Sequence, residues 1–402
     1  MRIFTVTPKP FLSIEETAAS FFSRDTGLLC HGLRRLGVDS RVVLLSGSEV
    51  QTHPDVLRAS MEEMQDVGFW KKLNLDGVVL YAWLLPEYRG IVSAIRNAGV
   101  RVIARADSTG LYDPRTDWVE YLREAYWGYG SERLVKNPPQ RALRALLKTG
   151  YRFVNRTFQR GVVGFADGCH ALMVESTVSG ERMKKFFSSF GRSDLATRVH
   201  YVPHAVAVAV PVAPEEKENR IIAIGRWADR IKNAPLLVRT LGRVLQQRPG
   251  WTAQIIGSGE AVLRMLRATL PEAVQEKIEI TGRLSHAETL KRLAKTKILL
   301  VSSRMDSFNM AAAEALCMGC SVVGGSHLPS FAEFVSNQSG AIARSYTARG
   351  LAEAVQSECA LWQSQQRDAL GIATASRAIF QIDSVAFQIR KLMCDPSSTL
   401  TR

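Results

Sequence analysis

Two carboxylates, Asp306 and Glu314, stand eight positions apart in the segment whose residue types could do chemistry. An apolar run, Ile298–Val301, ends in a polar loop that holds Asp306, and an Ala-rich segment that carries Glu314 comes next. A glycine and a second apolar run, Val322–Val323, complete the segment. The pattern predicts a strand, a loop, a helix and a second strand, with one acid in the loop and the other on the helix.

The start of that helix would attract phosphate, because the first amides of a helix have no intrahelical acceptor. The residues that would open it are Ser307, Phe308, Asn309 and Met310. Ligands of open α/β sheets bind beside such loops, at the carboxyl ends of the strands. A phosphate cradle flanked by two acids suits a nucleotide-sugar, whose hydroxyls would donate to Asp306 and Glu314. The alternative is an exposed Glu on an Ala-rich helix and an Asp that only belongs to a loop.

Two cations follow an earlier apolar run. Gly225 and Arg226 come directly after Ile221–Ile224, and Lys232 lies six residues beyond Arg226. Arginine offers a planar fork of donors and lysine a compact charge, so the two could hold a diphosphate. The alternative is a solvated basic loop, since Arg230 shows that not every charge here need be functional.

Glycine turns mark two further strand ends. Gly257 and Gly259 flank a serine after an apolar run, and such a turn lets the backbone approach a ligand. A third glycine precedes Arg283 and Leu284. These residues would lie at the same sheet edge as the two acids.

The composition is that of a globular protein with two or more domains: 402 residues, 46% hydrophobic and 22% charged. No apolar run approaches the roughly 20 residues of a spanning helix, and the N-terminus lacks the apolar core of a signal peptide, so we expect a cytoplasmic protein. A net charge of +14 favours anionic partners. The six cysteines form no disulfide framework, and packing explains the lone pair Cys317 and Cys320 better than redox or zinc chemistry.

Strand-like runs and helical patterns alternate along the first half, which predicts the α/β class with a parallel sheet covered on both faces. The runs are Ile3–Val6, Arg41–Leu45, Val78–Leu80, Val102–Ala104, Ala171–Val174 and His200–Val202. Two prolines and a charge cluster predict a linker at 205–219, after which the alternation restarts. We therefore predict Rossmann-like domains at 1–204 and 220–382, and a final helix and tail at 383–402.

The segment that begins at Asp306 resembles the donor-site signature of family 4 retaining glycosyltransferases. Those enzymes carry Glu, seven residues and a second Glu, which Ala-Met/Leu-x-x-Gly follows, as it does after Glu314 here. The first acid departs from the signature, since aspartate is shorter by about one methylene, roughly 1.5 Å. The element order resembles the GT-B fold over nearly the whole chain. The resemblance implies an acceptor domain first, a donor domain second, a cleft between them and a C-terminal helix that crosses back to the first domain.

The resemblance also implies roles for individual residues. Arg226 and Lys232 would neutralise the leaving diphosphate, Glu314 would accept hydrogen bonds from the ribose, and Asp306 would lie near the donor sugar. Arg283 and Leu284 would meet the nucleobase. The remaining donor-binding positions would be Gly225, Gly257, Gly259, Ser307, Phe308, Asn309 and Met310.

Three residues of the first domain are candidates for the acceptor side. Gly27 lies near where the family keeps a glycine-rich turn, although the usual doublet is absent. Asp107 stands where the family often has a His nearby, and it could contact the sugar or the acceptor, or cap the next segment. His204 falls where the family often has Asn-Gly, and it could face the cleft or act at a hinge.

A basic stretch without Asp or Glu runs from Arg133 to Arg160. Its cations would share one face of a helix: Arg141, Arg144, Lys148, Arg152, Arg156 and Arg160. The stretch could be a solvated face whose apolar side packs on the first domain. It could also meet an anionic membrane surface, with the protein peripheral on the inner face of the cytoplasmic membrane. Nucleic acid is the least favoured partner, because no recognised binding motif accompanies the charge.

The function expected from sequence and resemblance is transfer of a sugar from a nucleotide-diphospho-sugar to a glycan or lipid-linked acceptor, with retention of configuration. The chain has no Asp-x-Asp triplet of the kind that binds Mg²⁺, so we expect no metal and no cofactor. Two alternatives stay open: a nucleotide-sugar epimerase of the same fold and a catalytically inactive sugar-binding scaffold.

Overall fold

The computed structural model describes residues 1–8, 25–45, 54–106, 108–128, 137–208 and 212–394. They divide into two compact units. The first contains the described residues of 1–126, 137–207 and 381–394, and the second those of 127–128 and 208–380. Among the described residues, no helix has the length and apolar character needed to cross a bilayer.

The first unit is built on a parallel sheet whose described strands have the order β3-β2-β1-β4-β5-β6-β7. The strands are β1 (Ile3–Thr7), β2 (Val42–Leu45), β3 (Val56–Ala59), β4 (Gly77–Tyr81), β5 (Arg101–Arg105), β6 (Ala171–Val174) and β7 (Val199–Tyr201). The helices are α1 (Asp25–Arg35), α2 (Met61–Gln65), α3 (Val67–Leu73), α4 (Arg89–Asn97), α5 (Trp118–Trp127), α6 (Pro138–Val154), α7 (Thr157–Asp167), α8 (Thr177–Ser188) and α9 (Ser193–Ala196).

Both faces of this sheet are buried, because alternate residues of the same apolar strand point to opposite sides. Phe4 and Val78 belong to one core, whereas Ile3 and Val79 belong to the other. The second core also includes a C-terminal helix, α18 (Ile382–Cys394), which packs against α1. The last described helix of the chain thus belongs to the first unit.

The second unit is built on a parallel sheet with the order β10-β9-β8-β11-β12-β13. Its strands are β8 (Glu218–Ile224), β9 (Thr252–Ile256), β10 (Ile278–Gly282), β11 (Thr296–Leu300), β12 (Ser321–Gly325) and β13 (Gly340–Ala343). Its helices are α10 (Ala234–Gln247), α11 (Glu260–Arg267), α12 (Glu272–Gln275), α13 (His286–Ala294), α14 (Met310–Cys317), α15 (Phe331–Phe334), α16 (Ala348–Gln363) and α17 (Ala369–Phe380). Short 3₁₀ turns occupy Pro86–Tyr88, Pro214–Glu216 and Arg230–Lys232.

The predicted α/β class with parallel sheets is confirmed. In both sheets the order reverses beside the first strand, as in Rossmann folds, and the crevice at such a reversal is where ligands bind. In the second unit this point lies between β8 and β11.

Three sequence predictions differ from the structure. The strands Val56–Ala59 and Gly340–Ala343 were not among the predicted strands. β8 begins at Glu218, inside the predicted linker, because it pairs with β11 from that residue onward. The prediction that the cations from Arg141 to Arg160 share one helix is wrong, since α6 ends at Val154 and Arg160 lies on α7.

A buried ion pair ties the end of the second unit together. Arg367 donates through Nε to Glu358 on α16 at 2.8 Å and through Nη2 to the second oxygen of the same carboxylate. It also donates to the carbonyl oxygens of Asn337 and Gly340. The two charged side chains are only 4% and 1% exposed. The pair therefore fixes α16 to the segment that leads into β13.

Candidate functional site

The loops after β8 and β11 lie at neighbouring strand ends, and they carry the cation and the acid that the sequence singles out. Lys232 Nζ donates to Asp306 Oδ2 at 2.8 Å. The side chains are 21% and 14% exposed, so the contact is partly shielded from solvent but still accessible to a ligand. A Cβ at Gly225 would lie 3.3 Å from Lys232 Cγ, which places that glycine against the lysine stem.

Asp306 also organises the start of α14. Its Oδ1 accepts from the backbone N–H of Asn309 at 3.0 Å, and its Oδ2 accepts from the Asn309 side chain at 3.1 Å. Asn309 is left-handed, with φ of 66°, and its own side chain accepts from Ala312 N–H at 3.0 Å. One aspartate therefore positions both an ammonium group and a helix N-terminus, where Met310 has no intrahelical acceptor for its amide.

A second set of contacts fixes the main chain around Lys232. Ser302 donates its hydroxyl to the Lys232 carbonyl at 2.8 Å, and Tyr346 donates to the Ser302 carbonyl at 2.6 Å. Arg304 donates through Nη2 to Asn233 Oδ1 at 2.9 Å. These three residues could not be recognised from the sequence, since each acts on a residue at least 44 positions away.

Glu314 is held by a histidine that the sequence analysis also missed. His286 Nε2 lies 2.7 Å from Glu314 Oε1, and the two side chains are 30% and 12% exposed. His286 is the first residue of α13, whose N-cap, Ser285, accepts from Glu288 N–H. The contact fixes one carboxylate oxygen of Glu314 and leaves the other to accept from a ligand.

At the ends of β8, β9 and β10, the glycine turns bring the main chains of neighbouring loops into direct contact. Gly225 N–H donates to the Ile256 carbonyl at 3.0 Å, and Gly257 N–H donates to the Gly282 carbonyl at 2.8 Å. Gly257 has φ of +120°, and a Cβ there would lie 1.8 Å from the Gly225 carbonyl oxygen. A Cβ at Gly259 would lie 2.6 Å from the nearest backbone nitrogen. Side chains are therefore excluded at these two positions.

An acid next to this turn is held in its charged form. Glu260 opens α11, and its Oε2 accepts from Gly259 N–H at 3.1 Å. Hydrogen bonds from the backbone N–H groups of Glu260 itself and of Gly259 lower the pKa of the Glu260 carboxyl. The turn consequently carries a negative charge at neutral pH.

The other donor-side candidates are placed as follows. Arg226 is 68% exposed, with Nη2 at 3.7 Å from Asp229 Oδ2. Arg283 is exposed and Leu284 half-buried. Phe308 is buried between Phe334 and Phe380, so its ring belongs to the core and only its backbone can meet a ligand. Ser307 is half-buried.

Two of the three first-unit candidates lie in the described residues. Gly27 is the third residue of α1 and lies inside the helix rather than in a turn before it. His204 is buried and follows Val202, whose carbonyl accepts from the buried Arg105 at 2.9 Å. Asp107 lies outside the described residues.

The cysteines of the described residues contain no disulfide. Burial raises the pKa of the Cys317 thiol to about 12, and the Cys320 thiol donates to two carbonyl oxygens, each at 3.2 Å. Both side chains are packing residues. No group of three or more His, Cys, Asp or Glu that could hold a metal ion occurs in the part of the chain that the structure describes.

Comparisons with known proteins agree with this architecture. Residues 218–359 match the family model described as Glycosyl transferases group 1. No curated protein matches the sequence. The fold is similar to that of Anabaena HepE in complex with UDP, with 12% identity, coverage of 98% of this chain and 100% of that chain, and a TM-score of 0.67.

Two further solved structures are similar over their full lengths. Pneumococcal O-GlcNAc transferase GtfA in complex with UDP and GlcNAc has 10% identity, coverage of 98% and 99%, and a TM-score of 0.65. Sucrose-phosphate synthase from Thermosynechococcus elongatus has 14% identity, coverage of 98% and 98%, and a TM-score of 0.62. The chain therefore has the predicted GT-B fold, and the match to the glycosyl transferases group 1 model lies within its second unit.

Proposed function

We propose that this protein is a retaining glycosyltransferase that moves a sugar from a nucleotide-diphospho-sugar to a glycan or lipid-linked acceptor without a metal ion. The observation that carries the proposal is the contact of Lys232 with Asp306 beside the start of α14. It lies at the carboxyl edge of the sheet in the unit that matches the transferase model. A cation and free helix amides at one edge suit a diphosphate.

Lys232 and Arg226 would bind the diphosphate of the donor. An ammonium group has three donors, and Asp306 takes one of them, so the others can meet phosphate oxygens. Arg226 is exposed and can fold over the outer face of the same group. The N–H groups at the start of α14 would add partial positive charge without a desolvation cost at the moment of reaction.

Glu314 would accept hydrogen bonds from the ribose hydroxyls through the oxygen that His286 does not contact. The glycine turn at Gly257 and Gly259 would let the nucleotide approach the backbone. Arg283 and Leu284 would flank the base. HepE and GtfA are both described in complex with UDP, which supports uracil as the first nucleobase to test.

The reaction would proceed on one face of the sugar. The acceptor hydroxyl oxygen forms the new bond to the anomeric carbon as the bond to the phosphate oxygen breaks. The hydroxyl proton passes to the departing phosphate oxygen, which serves as the base. Negative charge grows on the diphosphate during this step, so electrostatic stabilisation by Lys232, Arg226 and the helix start is the main catalytic contribution.

Thermal unfolding in the presence of nucleotides tests the proposal. We expect UDP, GDP or ADP, or one of their sugar conjugates, to raise the unfolding temperature equally with and without EDTA. A ligand at a hundred times its Kd stabilises the folded state by about 2.7 kcal/mol. The Glu314→Ala variant is the control and should lose most of the shift. Absence of any shift across the panel would contradict the donor site, and a shift abolished by EDTA would contradict metal independence.

The two alternative functions give different outcomes in one assay. An epimerase would convert the nucleotide-sugar without any acceptor, whereas a scaffold would bind it and leave it intact. The proposed transferase releases nucleoside diphosphate faster when the acceptor is present. Product analysis with and without acceptor therefore separates the three.

Replacement of His286 by alanine should weaken donor binding about tenfold, because a hydrogen bond to a charged group contributes about 1.5 kcal/mol. The expected change is a higher Kd and KM for the donor with a nearly constant kcat, because His286 contacts Glu314 and not the reacting atoms. His286→Gln, which keeps a donor, should recover part of the affinity. The exposed His31 of α1 supplies the matched control, His31→Ala. Equal donor affinity in His286→Ala and the unaltered protein would exclude this role.

A further inference from the structure

Helix α6 (Pro138–Val154) has its apolar and polar sides reversed relative to an ordinary surface helix. Its buried residues are Arg141, Ala145 and Thr149. Its leucines lie outside, with Leu146 56% and Leu147 64% exposed. A surface helix normally buries its apolar stripe and presents polar residues to water.

The exposed apolar side chains of α6 continue along its length. They are Leu143, Leu146, Leu147, Tyr151 and Val154, and the last of these is 88% exposed. Scattered apolar residues on a surface need no explanation, but a contiguous set on one helix marks a binding surface. The interpretation in which the apolar side packs on the first unit is therefore wrong.

Helix α5 (Trp118–Trp127) extends this surface. Arg141, near the start of α6, stacks on Tyr126 near the end of α5, with the guanidinium 4.7 Å from the ring centroid. Arg115, just before α5, lies 5.4 Å from the ring of Phe153 at the end of α6. The two helices consequently run antiparallel. The exposed Trp118, at 59%, and Val119, at 54%, fall at the same end as Val154.

The charge on and around this surface is positive. Arg144 is exposed at the edge of the leucine face of α6, the half-buried Lys148 lies one turn further on and away from that face, and Arg160 is exposed on α7. No acid occurs between residues 133 and 160. The acids of α5 are already engaged, since Glu120 pairs with Arg123 and Glu124 accepts from Thr109.

We propose that the exposed faces of α5 and α6 dock the protein onto a bilayer of anionic phospholipid. The leucines, Tyr151 and Val154 would enter the boundary between headgroups and acyl chains, and the cations would meet the phosphates. Trp118 is also expected at the boundary between headgroups and acyl chains, because its ring is apolar and its N–H donates hydrogen bonds to polar groups. This surface shares no residue with the donor site, so the proposal does not rest on the proposed reaction.

Charge favours a bilayer over a second copy of the chain. In a two-fold symmetric dimer the same surface meets itself. Arg144, at the edge of the leucine face, would then approach its own counterpart without an acid from this stretch to compensate it. Anionic headgroups supply that compensation, and each cation near such a surface contributes about fivefold to partitioning.

Flotation of the full chain with lipid vesicles tests the proposal. We expect binding to phosphatidylcholine vesicles that contain phosphatidylglycerol, and much weaker binding to phosphatidylcholine alone. The double variant Leu146→Glu/Leu147→Glu should lose at least tenfold in apparent affinity, since burial of one leucine contributes roughly that factor. Leu370→Glu is the matched control, because this α17 leucine is equally exposed, at 51%, and lies in the second unit.

The charge contribution is tested separately. Arg144→Gln should lower the affinity for the phosphatidylglycerol vesicles by roughly fivefold at low salt. Arg349→Gln, at an exposed site of the second unit, should change it little. Unfolding temperatures equal to that of the unaltered protein show that the variants are folded. A second pair, Tyr151→Glu/Val154→Glu, repeats the apolar test should the first pair fail to fold.

Two results would overturn the proposal. One is equal binding of the Leu146→Glu/Leu147→Glu and unaltered proteins to the anionic vesicles, or no binding by either. The other is a dimer in light scattering that the same leucine variant converts to a monomer, with no vesicle binding. That second result would assign the surface to contact between copies of the chain.

Discussion

Replacement of Lys232 by alanine should reduce the rate of sugar transfer about 10²- to 10³-fold, the usual cost of removing one preorganised group that stabilises developing charge. Lys232 is held by Asp306 at 2.8 Å, so its ammonium group is in place before the donor arrives. The loss should fall mainly on kcat, because charge on the departing diphosphate is greatest in the transition state. Steady-state kinetics with saturating donor and acceptor give the measurement.

Stability should change little in the same variant. Asp306 keeps both hydrogen bonds from Asn309, so we expect the free energy of unfolding to fall by about 1 kcal/mol at most. Lys291→Ala, at an exposed position on α13, is the matched control and should retain full activity. A Lys232→Ala protein with a normal kcat would remove Lys232 from the mechanism.

The second large effect concerns stability rather than catalysis. Arg367→Ala should lower the free energy of unfolding by about 3–5 kcal/mol, because it leaves the Glu358 carboxylate buried without its partner. Glu358 is 1% exposed and accepts two hydrogen bonds from Arg367. The carbonyl oxygens of Asn337 and Gly340 lose a donor as well. Urea unfolding followed by tryptophan fluorescence measures the change.

A second ion pair, on the helix α16 that carries Glu358, provides the comparison. Arg349 and Glu353 are 81% and 56% exposed, and solvent screens their attraction, so Arg349→Ala should cost no more than about 0.5 kcal/mol. The apolar double variant Glu358→Leu/Arg367→Met should recover most of the stability lost in Arg367→Ala, because neither charge then remains buried. If Arg367→Ala costs no more than Arg349→Ala, the buried pair does not stabilise the unit.

The parallel sheets could be predicted from the sequence because buried parallel strands are short segments rich in apolar residues. β1, β9 and β11 follow that rule, and the turn at Gly257 and Gly259 marks the end of β9. Val56–Ala59 and Gly340–Ala343 could not be predicted in the same way. Both are four residues long and are recognised only by the strands they pair with.

Part of the candidate site could also be predicted from the sequence. Asp306 and Lys232 could be chosen because each follows an apolar strand, and loops at adjacent strand ends converge. His286 could not be chosen, since nothing near it in sequence signals that Glu314, 28 positions away, accepts from its ring. The same holds for Arg367, whose carboxylate partner depends on how the chain returns from α16.

Helix α6 shows a different limit of sequence patterns. A period of 3.6 residues groups Arg141, Ala145 and Thr149 on one side as well as it groups the leucines on the other. The period gives the two faces but does not say which of them meets the protein. Here the neighbouring Tyr126, which stacks on Arg141, decides the question.

The place of α18 in the first unit has a consequence for the order in which the protein is made. The ribosome completes β1 to β7 early, but Ile382 and Ile389, which complete one of their two cores, are translated only after the second unit. The second unit, whose described residues end at Phe380, is fully synthesised before them. The first unit therefore cannot complete this core before the second unit has been synthesised, although N-terminal domains generally fold first. Until α18 is made, the α1 side of the nascent first sheet exposes the apolar surface that this helix later covers.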